Sequence, residues 1–148
     1  MKLTRIFLIL FLSGFVGIAQ SQEWHLYTAS DAVANFTQYH SDIWTISGSG
    51  LSKVDMQTGG IQTWNTINSD LPDYACEIIS VDSSGTIWLG QSDSFFGSGI
   101  HGSKLIRFDG SNFETITTIN GVEINNISGI ETTPDGKVWI YASTNKNS

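Results

Sequence analysis

Cysteine occurs once, at Cys76, and histidine three times, at His25, His40 and His101, in a chain of 148 residues. A lone cysteine excludes an internal disulfide. Its run, Ala75-Cys76-Glu77-Ile78-Ile79, suits a small buried side chain in a strand better than a nucleophile. The histidines show no metal-ligand spacing, and neither a metal nor a cofactor is expected. Basic residues are also scarce: seven Lys and Arg stand against fourteen Asp and Glu, a net charge of −7 at pH 7. A surface this acidic repels phosphate backbones and anionic lipid, so nucleic acid is excluded as a partner. No stretch beyond the N-terminal leader holds a helical period. The apolar run Ile6 to Ile18 has 13 residues, short of the roughly 20 that span a bilayer.

That run has a different reading. Lys2 and Arg5 precede it, and the small residues Ala19 and Ser21 follow. Positive start, apolar middle and small-residue end are the three parts of a secretory signal peptide. Residues 1–21 are assigned to it, with cleavage after Ala19 or Ser21. The mature chain, residues 22–148, is expected to be exported to the periplasm or cell surface, with no membrane span. Its net charge is −9, because both lost basic residues lie in the leader.

What is abundant is a repeat. Ile43-Trp44-Thr45-Ile46, Ile87-Trp88-Leu89-Gly90 and Val138-Trp139-Ile140-Tyr141 place a β-branched residue before each Trp. The tryptophans are 44 and then 51 residues apart. This spacing, with short β-rich runs between turn signals, predicts an all-β protein made of β-propeller blades of four antiparallel strands. Residues 33–39, 42–47, 51–56 and 61–67 make one unit, and 75–81, 86–91, 104–109 and 113–118 the next. Residues 124–132 and 137–142 give half of a third. The blades thus run over about 33–67, 75–118 and 124–142, roughly two and a half in an incomplete ring.

Residues 23–28 read as a lone leading strand, because Trp24 matches the fourth-strand positions Trp64 and Phe113. The intervals to the next repeated Trp are 20, 24 and 26 residues. Such a strand would close a ring by joining its last blade, so the chain is expected to be an N-terminal fragment. A ring assembled from several short chains is the alternative.

Ile78-Ile79-Ser80-Val81-Asp82-Ser83-Ser84-Gly85-Thr86-Ile87-Trp88-Leu89-Gly90, followed by Leu105-Ile106-Arg107-Phe108-Asp109-Gly110, resembles the two-component regulator propeller repeat. Ile130 to Ile140 is similar to the same repeat, with Pro134-Asp135-Gly136 at its turn. The first copy departs from it: Tyr39-His40-Ser41-Asp42 lacks the turn Gly, and Thr45-Ile46-Ser47 lacks the Gly after the Trp. The resemblance implies the extracytoplasmic sensing part of a bacterial two-component regulator, non-catalytic in itself, though a longer protein could carry a histidine kinase. Other proteins of the family are secreted or belong to surface secretion machinery. A structural part of a surface secretion or adhesion machine is therefore the alternative, and a propeller lyase or glycosidase a lesser one.

No nucleophile, base and orienting group come together in sequence, and no catalytic residue is named. Trp44, Trp88 and Trp139 are expected to pack between blades rather than stack on a ligand. Asp82, Asp109 and Asp135 are expected to form turns, since no calcium-loop ladder surrounds them. The candidate for recognition is the insertion Gln91 to Ser103, which carries Phe95, Phe96 and His101 on a Gly/Ser-rich loop. Strand alternation puts it on the same face as the links between blades. Asp70, Asp73, Tyr74, Phe95, Phe96, His101 and Glu123 would then converge as a ligand-binding set. Aromatics with carboxylates suit a glycan or peptide ligand, and an envelope protein is the other partner considered.

Overall fold

A computed structural model describes residues 32–72, 76–91 and 104–143. They are all β, with no helix among them. Strands β1 (Val33–Tyr39), β2 (Asp42–Ser47), β3 (Gly50–Asp55) and β4 (Ile61–Trp64) form one four-stranded sheet in that order. Strands β5 (Cys76–Val81), β6 (Ile87–Gln91), β7 (Lys104–Phe108) and β8 (Phe113–Ile116) form a second. All pairs are antiparallel. A small hairpin joins β9 (Thr118–Ile119) to β10 (Val122–Glu123), and β11 (Asn125–Thr132) pairs with β12 (Val138–Ser143). The predicted strands 23–28 lie outside the described residues.

The sheets stack face to face and, among the described residues, do not close into a ring. The first strands draw together: β1 packs on β5, and β5 on β11. The array is thus a fan whose narrow side is lined by β1, β5 and β11.

Period-two alternation decides which neighbour each side chain meets. In β6, Ile87 and Leu89 join the first core with Trp44, Ile46 and Leu51 of the preceding sheet, while Trp88 turns to the second core with Ile127 and Ile130 of the following one. In β7, Ile106 and Phe108 face back, and Leu105 faces forward. Each second strand therefore sends its Trp forward. The first core is a train of rings. Trp44 stacks on Trp64 at 5.5 Å, Phe108 meets Trp64 edge-on at 5.1 Å, and Phe113 stacks on Phe108 at 4.2 Å. Phe108, Leu51, Leu89 and Ile106 are fully buried, each contributing about 1.5–3 kcal/mol of hydrophobic stabilisation.

The last Trp follows the same rule but meets no partner. Val138 and Ile140 pack back into the second core, so Trp139 points forward and is 55% exposed. The expectation that all three tryptophans pack between units holds for Trp44 and Trp88. Within the described residues no further sheet covers Trp139. Tyr141 is open on the same face, and Phe36 and Ile61 are open on the far side of the first sheet.

The Asp turns form as expected. Asp82 Oδ1 accepts the amides of Ser84 and Thr86, and Asp109 Oδ1 those of Ser111 and Asn112. Asp135 instead takes the Thr133 hydroxyl and the Lys137 ammonium. Where the first copy lacks its turn Gly, the link shortens to two residues and His40 itself adopts φ 52°.

Candidate functional site

Alternating strand direction gives the fan two ends. One holds the links between second and third strands and those between sheets. At this end an added Cβ on Gly50 would lie 2.2 Å from the Trp64 carbonyl oxygen, so the start of β3 touches the end of β4. Gln91 pairs with Lys104 here, which brings together the two flanks of segment 92–103.

Of the seven residues expected to converge at this end, Asp73, Tyr74, Phe95, Phe96 and His101 lie outside the described residues. Asp70 and Glu123 are described, and both are exposed. Asp70 precedes Leu71, which is buried in the first core. Glu123 sits in β10, opposite Thr118, and precedes Ile124, which is buried in the second core. Each is thus on a sheet-to-sheet link pinned by its apolar neighbour. Neither lines the two clefts described below.

The other end gathers the first-to-second-strand turns, and a cleft of about 260 Å³ opens between them. Gln38 and Tyr39 come from the end of β1, Asp82 and Ser83 from the turn after β5, and Thr133 and Pro134 from the turn after β11. The three turns are tied to one another. The Tyr39 hydroxyl donates to the Ser83 carbonyl at 3.4 Å, and the Thr132 hydroxyl donates to the Val81 carbonyl at 2.6 Å. Ser80 and Thr132 share a further hydroxyl bond at 3.2 Å. The Tyr39 ring lies against the Gly85 turn, where an added Cβ would come within 2.9 Å of it.

The electrostatics of this cleft are quiet. Burial pushes the Asp82 carboxyl up, but the Ser84 hydroxyl, the Trp88 indole and the Thr86 and Ser84 amides outweigh it and hold the group below its ordinary value. Asp82 is therefore ionised, with its oxygens occupied by internal donors. The Lys137 ammonium and the Thr133 hydroxyl similarly hold Asp135 down. No lysine or arginine lines the cleft. The Ser83 hydroxyl and the Gln38 amide oxygen make no hydrogen bond among the described residues, while the Gln38 amide nitrogen donates to the His40 carbonyl. Sequence reading placed the candidate site at the opposite end because the long insertion lies there. The cleft draws on turns about fifty residues apart, and only packing reveals it.

Elsewhere the chemistry is sparse. Among the described residues no three His, Cys, Asp or Glu gather to hold a metal. No helix there is long and apolar enough to cross a membrane. A second cleft, of about 300 Å³, lies by the β3–β4 turn, where Lys53 pairs with Asp42 at 2.9 Å.

No family model matches the chain, and no curated protein matches it. Solved structures do. The fold is similar to the extracellular domain of BT3049 of B. thetaiotaomicron, assigned as a hybrid two component system, with TM-score 0.56 and 20% identity over 74% of this chain and 14% of that one. It is also similar to the extracellular domain of BT4673 of the same organism, assigned as a one component system, with TM-score 0.56 and 17% identity over 82% of this chain and 16% of that one. The chain spans about one sixth or less of those structures. At these identities the likeness is one of fold, and it agrees with the resemblance to the two-component regulator propeller repeat.

Proposed function

We propose that this chain is part of an exported, sensory β-propeller domain of the two-component regulator propeller type, which recognises a ligand or partner outside the cytoplasm. The observation that carries this reading is the likeness of its stacked antiparallel sheets to two extracellular domains of one- and two-component systems. The leader-like residues 1–21 support export. In this reading the domain is not itself an enzyme. Recognition by Asp70, Asp73, Tyr74, Phe95, Phe96, His101 and Glu123, with a glycan or peptide as ligand, is the finer form of the proposal.

Fractionation of cells making the full chain tests the coarse reading. Recovery outside the cytoplasm, with the leader removed, supports it, and retention in the cytoplasm sinks it. Glycan and peptide arrays then test the finer form, with loss of binding expected when Phe95, Phe96 and His101 are replaced by Ala. A structural part of a surface machine is the second reading. The open apolar faces at Trp139 and at Phe36 favour it. Co-purification with envelope proteins and no array binding would support it.

A further inference from the structure

The cleft between the first-to-second-strand turns has features that suit one kind of occupant. It is assembled from three sheets, and hydrogen bonds lock the sheets together at its floor. A site built this way is held in place by packing. Its volume, about 260 Å³, falls below the range for drug-sized ligands, so it takes one ring-sized group. Tyr39 and Pro134 supply apolar wall, and an aromatic ring beside a proline offers a stacking surface for a flat apolar face.

The polar groups select further. Ser83 offers a hydroxyl that bonds nothing else among the described residues. It points toward the third sheet, since an added Cβ on Gly136 would lie 3.9 Å from its oxygen. Gln38 lines the cleft with an amide oxygen that makes no hydrogen bond among the described residues. Asp82 has no oxygen to spare, because Ser84, Thr86 and Trp88 donate to it. Asp135 is matched by Lys137. No cation lines the cleft, and the chain carries a net charge of −7. An anionic group entering here would face the Asp82 carboxylate with no cation in the described lining, which costs binding energy. A cation would find that carboxylate already engaged.

We propose that this cleft binds one uncharged, hydroxyl-bearing ring, the size of a single sugar unit, between Tyr39 and Pro134, with Ser83 and Gln38 as its hydrogen-bonding partners. The site is separate from the loop-face set, and it rests on the reading of the chain as a recognition domain.

Saturation-transfer NMR and calorimetry on the full chain test it, with methyl glycosides of glucose, galactose, mannose and N-acetylglucosamine as neutral probes. Glucuronic acid and sulfated N-acetylglucosamine are the anionic probes. Binding of at least one neutral glycoside is expected, with the anionic probes at least about tenfold weaker. Ser83→Ala should weaken binding about two- to tenfold, and Ser83→Trp, which fills the cleft from an exposed turn, should abolish it. An unchanged amide NMR spectrum away from the three turns shows that Ser83→Trp is folded. No binding by any neutral probe overturns the proposal, as does equal or tighter binding of the anionic ones. Binding that survives Ser83→Trp but is lost on replacing Phe95 and Phe96 overturns the cleft and leaves the loop-face reading standing. Failure of export, by contrast, removes the recognition reading itself.

Discussion

The Trp88 indole donates to Asp82 Oδ2 at 3.0 Å, and the same carboxylate holds the turn that begins the Trp88 strand. One acidic residue thus fixes both the turn between β5 and β6 and the ring that fills the contact with the third sheet. Trp44 lacks such an anchor. Six residues before it stands Gln38 instead of an Asp, and its buried indole nitrogen has no hydrogen-bond partner among the described residues.

Asp82→Ala should therefore destabilise the chain by about 1–3 kcal/mol, the cost of leaving donors unpaired. Chemical denaturation monitored by far-UV circular dichroism measures it. A change within experimental error would show that the turn holds without its carboxylate.

Acid should unfold the chain in part through the same group. Burial raises the Asp82 carboxyl, but its hydrogen bonds prevail and the folded-state value lies below that of a free aspartate. A depressed folded value means stability that is complete above the unfolded value and is lost as pH falls through the folded one. Asp55, Asp109 and Asp135 are lowered as well, by the Thr58 amide, the Asn112 amide and the Lys137 ammonium respectively. Asp82→Asn should flatten the decline of stability below about pH 4 without abolishing it. A decline as steep as that of the parent chain would exclude Asp82 as a contributor.

Trp44 and Trp139 occupy one position of the repeat and should respond oppositely to truncation. Trp44 is 7% exposed and stacked on Trp64, so Trp44→Ala should cost about 3–5 kcal/mol. Trp139→Ala should cost about 0.5 kcal/mol or less in the same chain. Equal costs would mean that something covers Trp139 in solution.

Gly85 and Gly110 separate strain from crowding. Both have positive φ, 88° and 97°. An added Cβ at Gly85 would meet the Tyr39 ring at 2.9 Å, whereas at Gly110 nothing lies within 4 Å. Gly110→Ala should cost about 1 kcal/mol from backbone strain alone, and Gly85→Ala more. Parity between the two variants would show that the Tyr39 ring yields freely.

Strand order and turn chemistry were legible from sequence because both are local. The alternation in Ile78 to Val81 and Ile87 to Gln91, and the Asp-x-x-Gly turn between them, involve residues close in the chain, and strand ends differ from expectation by at most three residues. The hairpin of β9 and β10 falls almost wholly between the expected strands 113–118 and 124–132 although its signal is present in the sequence. Asn120-Gly121 adopts φ 52° and 76°, the two-residue turn for which Asn-Gly is the strongest short signal. The runs flanking it are two residues each, too short to show alternation. Leu51 and Val54 do not fit a period-two alternation. Both are buried although three positions apart in β3, so no single face of that strand collects its apolar residues. The exposure of Trp139 was not legible, since a repeat position states what a residue is shaped for and not whether its neighbour is present. The cleft was invisible for a related reason: Tyr39, Ser83 and Pro134 meet only through stacking of separate sheets.

The forward-facing tryptophans make the array directional, like tiles with a tongue on one edge and a groove on the other. An in-frame duplication of a whole unit would meet a ready-made neighbour on each side, since every junction follows one rule. A unit set in reverse would press indole against indole and leave two aliphatic faces bare. Such an architecture can lengthen by gene duplication without redesign of any interface. The constraint on its evolution then falls on the turns and faces of a single unit rather than on the assembly as a whole.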